Sequence, residues 1–253
     1  MLVSDLMSSP VHACRPGDTI SSVRNLMLKH RISRVLVMDR EHIAGIITKK
    51  DIGYRLRRHD PAWRCRSLDS ELVSSAMTAD IISMSPDSSI HDVLMLMTTH
   101  QISGFPILDQ GMVLGMVTKS DLMNTPLIKN LDLPVNEVMH DVSSVTLTHS
   151  IDHVIDLMKA GTAAVVVIGE DGSPAGIISE SDLTFGQEGR EQPDKIYAGD
   201  IMRSPVITLQ DTARTGDVVS EMISRRISSL VIINEQGIKG IITRDDIIEE
   251  VVQ

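Results

Sequence analysis

Apolar residues along this chain alternate between two periods. Ile20, Val23, Met27 and Leu28 stand at spacings of three, four and seven, which puts them on one stripe of a helix. Ile90, Val93, Leu94 and Met97 repeat the pattern, and so do Ile151, Val154, Ile155 and Met158. Each stripe leads into a β-rich run: 35-VLVMD-39, 105-FPILD-109, 163-AAVVVI-168 and 230-LVIIN-234. A polar or Gly-containing turn follows, such as 39-DREHIAG-45 or 235-EQGIKG-240, and then a second apolar run. That order predicts a hairpin. Ahead of each stripe stands an apolar stretch ending in Met: 2-LVSDLM-7, 72-LVSSAM-77, 135-VNEVM-139 and 199-GDIM-202. An extended segment such as 10-PVHAC-14 or 205-PVITL-209 comes next. Asp18, Asp87, Thr148 and Asp211 lie near the helix starts and are read as caps. A short apolar helix, as in 246-DIIEEVV-252, closes the unit. The predicted order is β-α-β-β-α, four times over.

The second strand of every unit ends in one motif. It reads GIITKKD at 45–51, GMVTKSD at 115–121, GIISESD at 176–182 and GIITRDD at 240–246. A three-stranded unit of this size buries little apolar area alone, so pairing back to back is the natural remedy. The linkers 57–71, 124–134 and 186–194 are polar and contain Pro. None is distinctly longer, so linker length does not fix which units pair.

A hydroxyl followed three residues later by a carboxylate is a capping box. Thr48 would cap the closing helix, Asp51 would reach back to the N–H of Thr48, and Gly45 would release the hairpin. Two features point further. A capping box favours Glu or Gln, yet all four units carry Asp. Basic residues also crowd the motif at Lys49, Lys50, Lys119 and Arg244. A helix start attracts anions, and a carboxylate there accepts hydrogen bonds from vicinal ribose hydroxyls. Hydroxyl, carboxylate and cation together suit a phosphorylated nucleoside. Capping and binding are compatible, because one Thr can do both through different lone pairs.

With these motifs go 31-RISRVLV-37, 101-QISGFPI-107 and 226-RISSLVI-232, while the third unit departs as 160-AGTAAVVVI-168. On these residues the chain resembles four CBS domains, over about 2–56, 70–124, 134–185 and 198–251. The resemblance implies an α/β fold of two Bateman modules, 1–125 and 130–253, packed as a flat disc. It implies clefts for adenosine-containing ligands: AMP, ADP, ATP, S-adenosylmethionine or methylthioadenosine. Asp51, Asp121, Asp182 and Asp246 would hold the ribose. Thr48, Thr118, Ser179 and Thr243 would meet ribose or phosphate. Val11 and His12, Ile81 and Ile82, Ser144 and Val145, and Val206 and Ile207 would line the adenine. Arg34 would reach phosphate, with Lys49 and Lys50 beside it in the best-equipped cleft. Gly104, Ala164 and Ser229 take the place of Arg34 elsewhere. The third unit, with Glu180 and no adjacent cation, suits an empty cleft, a nucleoside or cationic S-adenosylmethionine.

Composition narrows the alternatives. Net charge is -10 and pI about 5.3, which disfavours a nucleic-acid surface. The five aromatics, Tyr54, Trp63, Phe105, Phe185 and Tyr197, offer few stacking platforms. The exception is 55-RLRRHDPAWRCR-66, a basic patch for nucleic acid or an acidic partner, or simply a solvated linker. Cys14 and Cys65 form no CxxC pair. No apolar run approaches the ~18 residues of a spanning helix, and no leader follows Met1, so a cytoplasmic protein away from membranes is expected. His149 and His153 stand four apart and form the one weak metal candidate. No HExxH, GxSxG or P-loop occurs, so neither enzyme activity, metal nor cofactor is expected. The expected role is regulatory, with ligand occupancy passed to a protein partner or through self-association as a homodimer. The rivals are an enzyme, a nucleic-acid-binding regulator and a scaffold without ligand.

Overall fold

The computed structural model describes residues 1–55, 70–185 and 196–252. The basic stretch from residue 56 to 66, with Trp63 and Cys65, lies outside the described residues, as does the linker 186–194. The four predicted units are present. Their long helices are Ile20–His30, Ile90–Thr99, Ile151–Lys159 and Thr215–Arg225. Each is followed by an antiparallel hairpin, Arg34–Asp39 with His42–Thr48 in the first repeat and Ser229–Asn234 with Gly237–Thr243 in the fourth. The register shifts just before the motif glycine in all four hairpins, where Ala44, Leu114, Ala175 and Lys239 are each the extra residue of a bulge.

A short first strand lies parallel to the hairpin in repeats one, three and four: Ala13–Cys14, Ser144–Thr146 and Thr208–Gln210. In repeat two it shrinks to a single bridge between Met84 and Ile107. The reason is Pro106. Leu36, Val166 and Val231 each donate their N–H to the first strand, to the carbonyls of His12, Ser143 and Ile207. Pro106 occupies that place in repeat two and has no N–H to give.

The helix caps lie elsewhere than the sequence suggested. Thr19, Ser89 and Ser150, each directly before its helix, accept from Ser22 N–H, Asp92 N–H and His153 N–H. In repeat four Asp217 reaches back to the N–H of Arg214 instead. The four expected caps sit too far upstream to reach the first-turn amides. Asp18 accepts from Arg15 N–H within a turn, and Asp211 accepts from the Asn234 amide.

Repeats one and two exchange their opening segments, and so do three and four. Ser8 bridges to Met116 and Thr78 to Ile46; His140 bridges to Ile241 and Arg203 to Ile177. Contact between the halves runs through the closing helices. Lys49–Arg55 packs on Glu180–Phe185, and Arg244–Val252 packs on Ile90–Thr99 and Lys119–Leu122. The cores are unequal. Repeat two and repeat four share one apolar cluster, which takes in Leu94, Phe105 and Val117 with Val219, Leu230 and Ile247. Repeats one and three each have a cluster of their own. Cys14 lies buried in the first, and desolvation pushes its thiol pKa up to about 12, which leaves it protonated and inert. Among the described residues no helix is long and apolar enough to cross a membrane.

Candidate functional site

Each part of the repeated motif has its own structural task. The glycine accepts the methionine that ends the opening segment of the sister repeat. A Cβ on Gly45 would lie 2.9 Å from Met77 Sδ; on Gly115, 2.8 Å from Met7 Sδ. On Gly176 it would lie 2.3 Å from Met202 Sδ, and on Gly240, 3.0 Å from Met139 Sδ. The glycine therefore does more than release the hairpin: it seats a knob from the neighbour.

The hydroxyl and the carboxylate form the capping arrangement in all four repeats. Asp51 Oδ2 accepts from Thr48 N–H at 2.8 Å and from its hydroxyl at 2.7 Å. Asp121 does the same with Thr118, Asp182 with Ser179, and Asp246 with Thr243. One carboxylate oxygen is thus committed, and in repeats two, three and four the other, Oδ1, faces the sister repeat. What meets Oδ1 differs by repeat, and in repeats two, three and four it comes from the residue after the sister repeat's Met. Ser8 donates its hydroxyl to Asp121 at 3.2 Å. His140 Nδ1 lies 3.2 Å from Asp246. Arg203 Nε donates to Asp182. Thr78 holds this place opposite Asp51, whose Oδ1 meets no donor among the described residues.

The two variable motif residues face the other half of the chain. Lys50 Nζ lies 2.6 Å from Glu180 Oε1. Lys119 pairs with Asp245, and Arg244 donates to Ser120 at 2.7 Å. Lys50, expected on phosphate, is thus placed in a bridge between repeats one and three. Two cations also stand at the third motif, Lys50 on Glu180 and Arg203 on Asp182, contrary to the expectation of none. Neither cation is near the motif in sequence, because both come from other repeats. Lys49 is half-buried nearby, and its pKa is lowered by desolvation and by Arg203.

Arg34 reaches across the first pair into repeat two. Nη2 donates to the Ser103 hydroxyl at 2.8 Å, and a Cβ on Gly104 would lie 1.9 Å from Nη1. Desolvation lowers the guanidinium to about 10, partly offset by Asp121. Arg34 therefore belongs to the surroundings of Asp121 as well as to its own repeat. Gly104, in register with Arg34, is glycine because the guanidinium occupies its side-chain space. A cavity of about 310 Å³ lies beside Asp121, lined by Asp5, Leu6, Asn124 and Thr125.

The half-buried pairs offered for an adenine face are Val11 with His12, Ile81 with Ile82, and Val206 with Ile207. In repeat three the expected pair, Ser144 and Val145, is off by two: Val142 and Ser143 take its place. Ser143, not Val145, bonds the middle strand as His12 and Ile207 do. Val142 and Ser143 are half-buried, whereas Ser144 is exposed and Val145 lies in the core. His149 bonds Thr146 and stacks on His153, and among the described residues no group of three or more ligating side chains could hold a metal.

The family profile for the CBS domain matches residues 3–57, 73–127, 135–187 and 198–253. The chain belongs to the CBS domain family. It is 31% identical over 121 residues to the CBS domain-containing protein YhcV of Bacillus subtilis, covering 47% of this chain and 81% of that one. Over nearly full length it is similar to protein MJ1225 of Methanocaldococcus jannaschii, at 24% identity over 262 residues and 92% of each chain. The crystal structure of MJ1225 superimposes with a TM-score of 0.86 at 22% identity, over 99% of each chain. The chain spans half or less of the length of several other curated relatives that it matches.

The His140–Asp246 contact gives a pH prediction. The hydrogen bond to Asp246 raises the His140 pKa, desolvation opposes it, and Asp141 and Glu249 add to the rise. A folded-state pKa above the unfolded value contributes stability that is full below about 6.5 and is lost as pH rises through the raised value. The difference in urea midpoint between the native chain and His140→Gln should be larger at pH 5.5 than at pH 8.5. An equal difference at both would contradict the pairing.

Proposed function

We propose that this chain is a regulatory protein that senses an adenosine-containing ligand, an adenine nucleotide or a related adenosyl compound such as S-adenosylmethionine or methylthioadenosine. Its two pairs of repeats, 1–125 and 130–253, act as Bateman modules, and occupancy is passed to a protein partner. The observation that carries this reading is the carboxylate at the end of each motif. Oδ2 is fixed by the cap, and in repeats two, three and four Oδ1 faces the sister repeat. A ribose diol there would be gripped by a carboxylate whose orientation is already set, with little entropy left to lose.

The groove of repeat two is favoured, because Thr118, Asp121, Ser8 and the Arg34 guanidinium converge on it. Ile81 and Ile82 supply its apolar face, and Arg34 would meet phosphate. Thr48, Asp51, Val11 and His12 form the corresponding site of repeat one; Thr243, Asp246, Val206 and Ile207 that of repeat four; and Ser179 and Asp182 that of repeat three. Because each groove is built from two repeats, a ligand favours whichever orientation of the pair closes on it. The size of that shift is bounded by its differential affinity for the two orientations. Such a protein signals through its shape and turns over no substrate.

The test is equilibrium dialysis with labelled AMP, ATP and S-adenosylmethionine. Asp121→Ala should weaken binding at one site by at least tenfold while the circular dichroism spectrum stays native. Asp121→Asn, which keeps the cap's acceptor oxygen and drops the charge, should lie between. Unaltered binding in both variants would sink the ribose role.

A further inference from the structure

The residue after the Met of each opening segment is Ser8, Thr78, His140 or Arg203. All four occupy one structural position. Each pairs its backbone with the residue after the sister repeat's motif glycine: Met116, Ile46, Ile241 and Ile177 respectively. The backbone contact is fourfold equivalent and the side chains are not. Ser8 offers Asp121 a hydroxyl, His140 offers Asp246 an imidazole nitrogen, and Arg203 offers Asp182 a guanidinium. Asp182 is also the one motif carboxylate among the buried polar residues. Its side chain is 5% exposed, whereas that of Arg203 is 62% exposed.

We propose that this position sets which motif carboxylates can take a ribose, and that Arg203 is an internal occupant holding the third groove shut. The inference rests on the ribose reading above. A diol can reach Asp182 Oδ1 only by displacing the guanidinium, which donates into the same lone pairs. Removing Arg203 with nothing in its place leaves a buried carboxylate short of a partner, which is unfavourable. A ligand that supplies two hydroxyls offsets that loss. Because most of the Arg203 side chain is in solvent, its departure needs no repacking, so the contact works as a gate rather than as part of the core. At repeat one the position is Thr78, and among the described residues the Oδ1 of Asp51 meets no donor.

The experiment exchanges the two side chains in the full chain. Calorimetric titration with AMP, and with adenosine as the uncharged probe, is run on the native protein, Arg203→Ser and Thr78→Arg. Arg203→Ser should raise the stoichiometry for both probes by one site. Thr78→Arg should remove one site or weaken it at least tenfold. If Arg203→Ser fails to fold, Thr78→Arg decides alone. A new site in Arg203→Ser where the native chain binds nothing would also support the gate. Native binding with stoichiometry unchanged or reduced in Arg203→Ser, and unchanged in Thr78→Arg, overturns the gate and leaves the ribose reading standing. No binding by any of the three proteins overturns both.

Discussion

Phe105→Ala is expected to destabilise the chain by about 3–5 kcal/mol, the usual cost of truncating a buried Phe. The residue is 1% exposed and is the largest fully buried side chain among the described residues. Its cluster takes in both repeat two and repeat four, with Val218, Met222 and Ile248 contributed by the fourth. The damage should therefore appear in both halves of the chain. Amide exchange should quicken in Thr215–Arg225 as well as in Ile90–Thr99. Ile178→Ala, in the separate cluster of repeat three, should leave Ile90–Thr99 unaffected. If Phe105→Ala quickened exchange in repeat two alone, the shared core would be contradicted.

Gly176→Ala is expected to destabilise by about 1–3 kcal/mol, as overpacking does when the surroundings cannot yield freely. The three atoms nearest the added Cβ all belong to the Met202 side chain, the nearest at 2.3 Å. Met202→Gly should therefore recover much of the loss in the double variant, because all three obstructing atoms, the Met202 Cβ included, are removed. Gly240→Ala behaves differently. Its Cβ would lie 2.8 Å from the backbone oxygen of His140, as well as near Met139. Met139→Ala leaves that oxygen in place, and recovery should be small. Urea denaturation of the four single and two double variants measures both couplings. Equal recovery in the two pairs, or a neutral Gly176→Ala, would contradict the knob-and-seat arrangement.

Much of the fold was legible because it rests on strong local periods. The stripe of Ile151, Val154, Ile155 and Met158 is buried as the spacing predicts, and the hairpins fall where apolar runs flank polar turns. The capping geometry of Thr48 and Asp51 was legible for the same reason, since both partners lie within one helical turn. Contacts that join distant parts of the chain left no such trace. Lys50 and Glu180 complement each other in charge, but nothing local to either residue says that their helices meet. The position of Ser8, Thr78, His140 and Arg203 was hidden because its side chains are mixed, two hydroxyls, an imidazole and a guanidinium; only its constant place after Met marks it. One of the two residues of the slip at Ser144 and Val145 has a plain cause. The segment after Met139 is one residue shorter than those after Met7 and Met202, which carry Pro10 and Pro205. Pro106 was visible throughout, yet its effect on the neighbouring strand needs the parallel pairing to be known.

The most direct measurement is calorimetric titration of the purified chain with AMP, ADP, ATP, S-adenosylmethionine and methylthioadenosine, after checking that no ligand has copurified. Micromolar binding to at least one of them is expected, weakened at least tenfold at one site by Asp121→Ala with the fold intact. No binding to any of the five would contradict a ligand sensor and would leave the four motifs as helix caps in a scaffold.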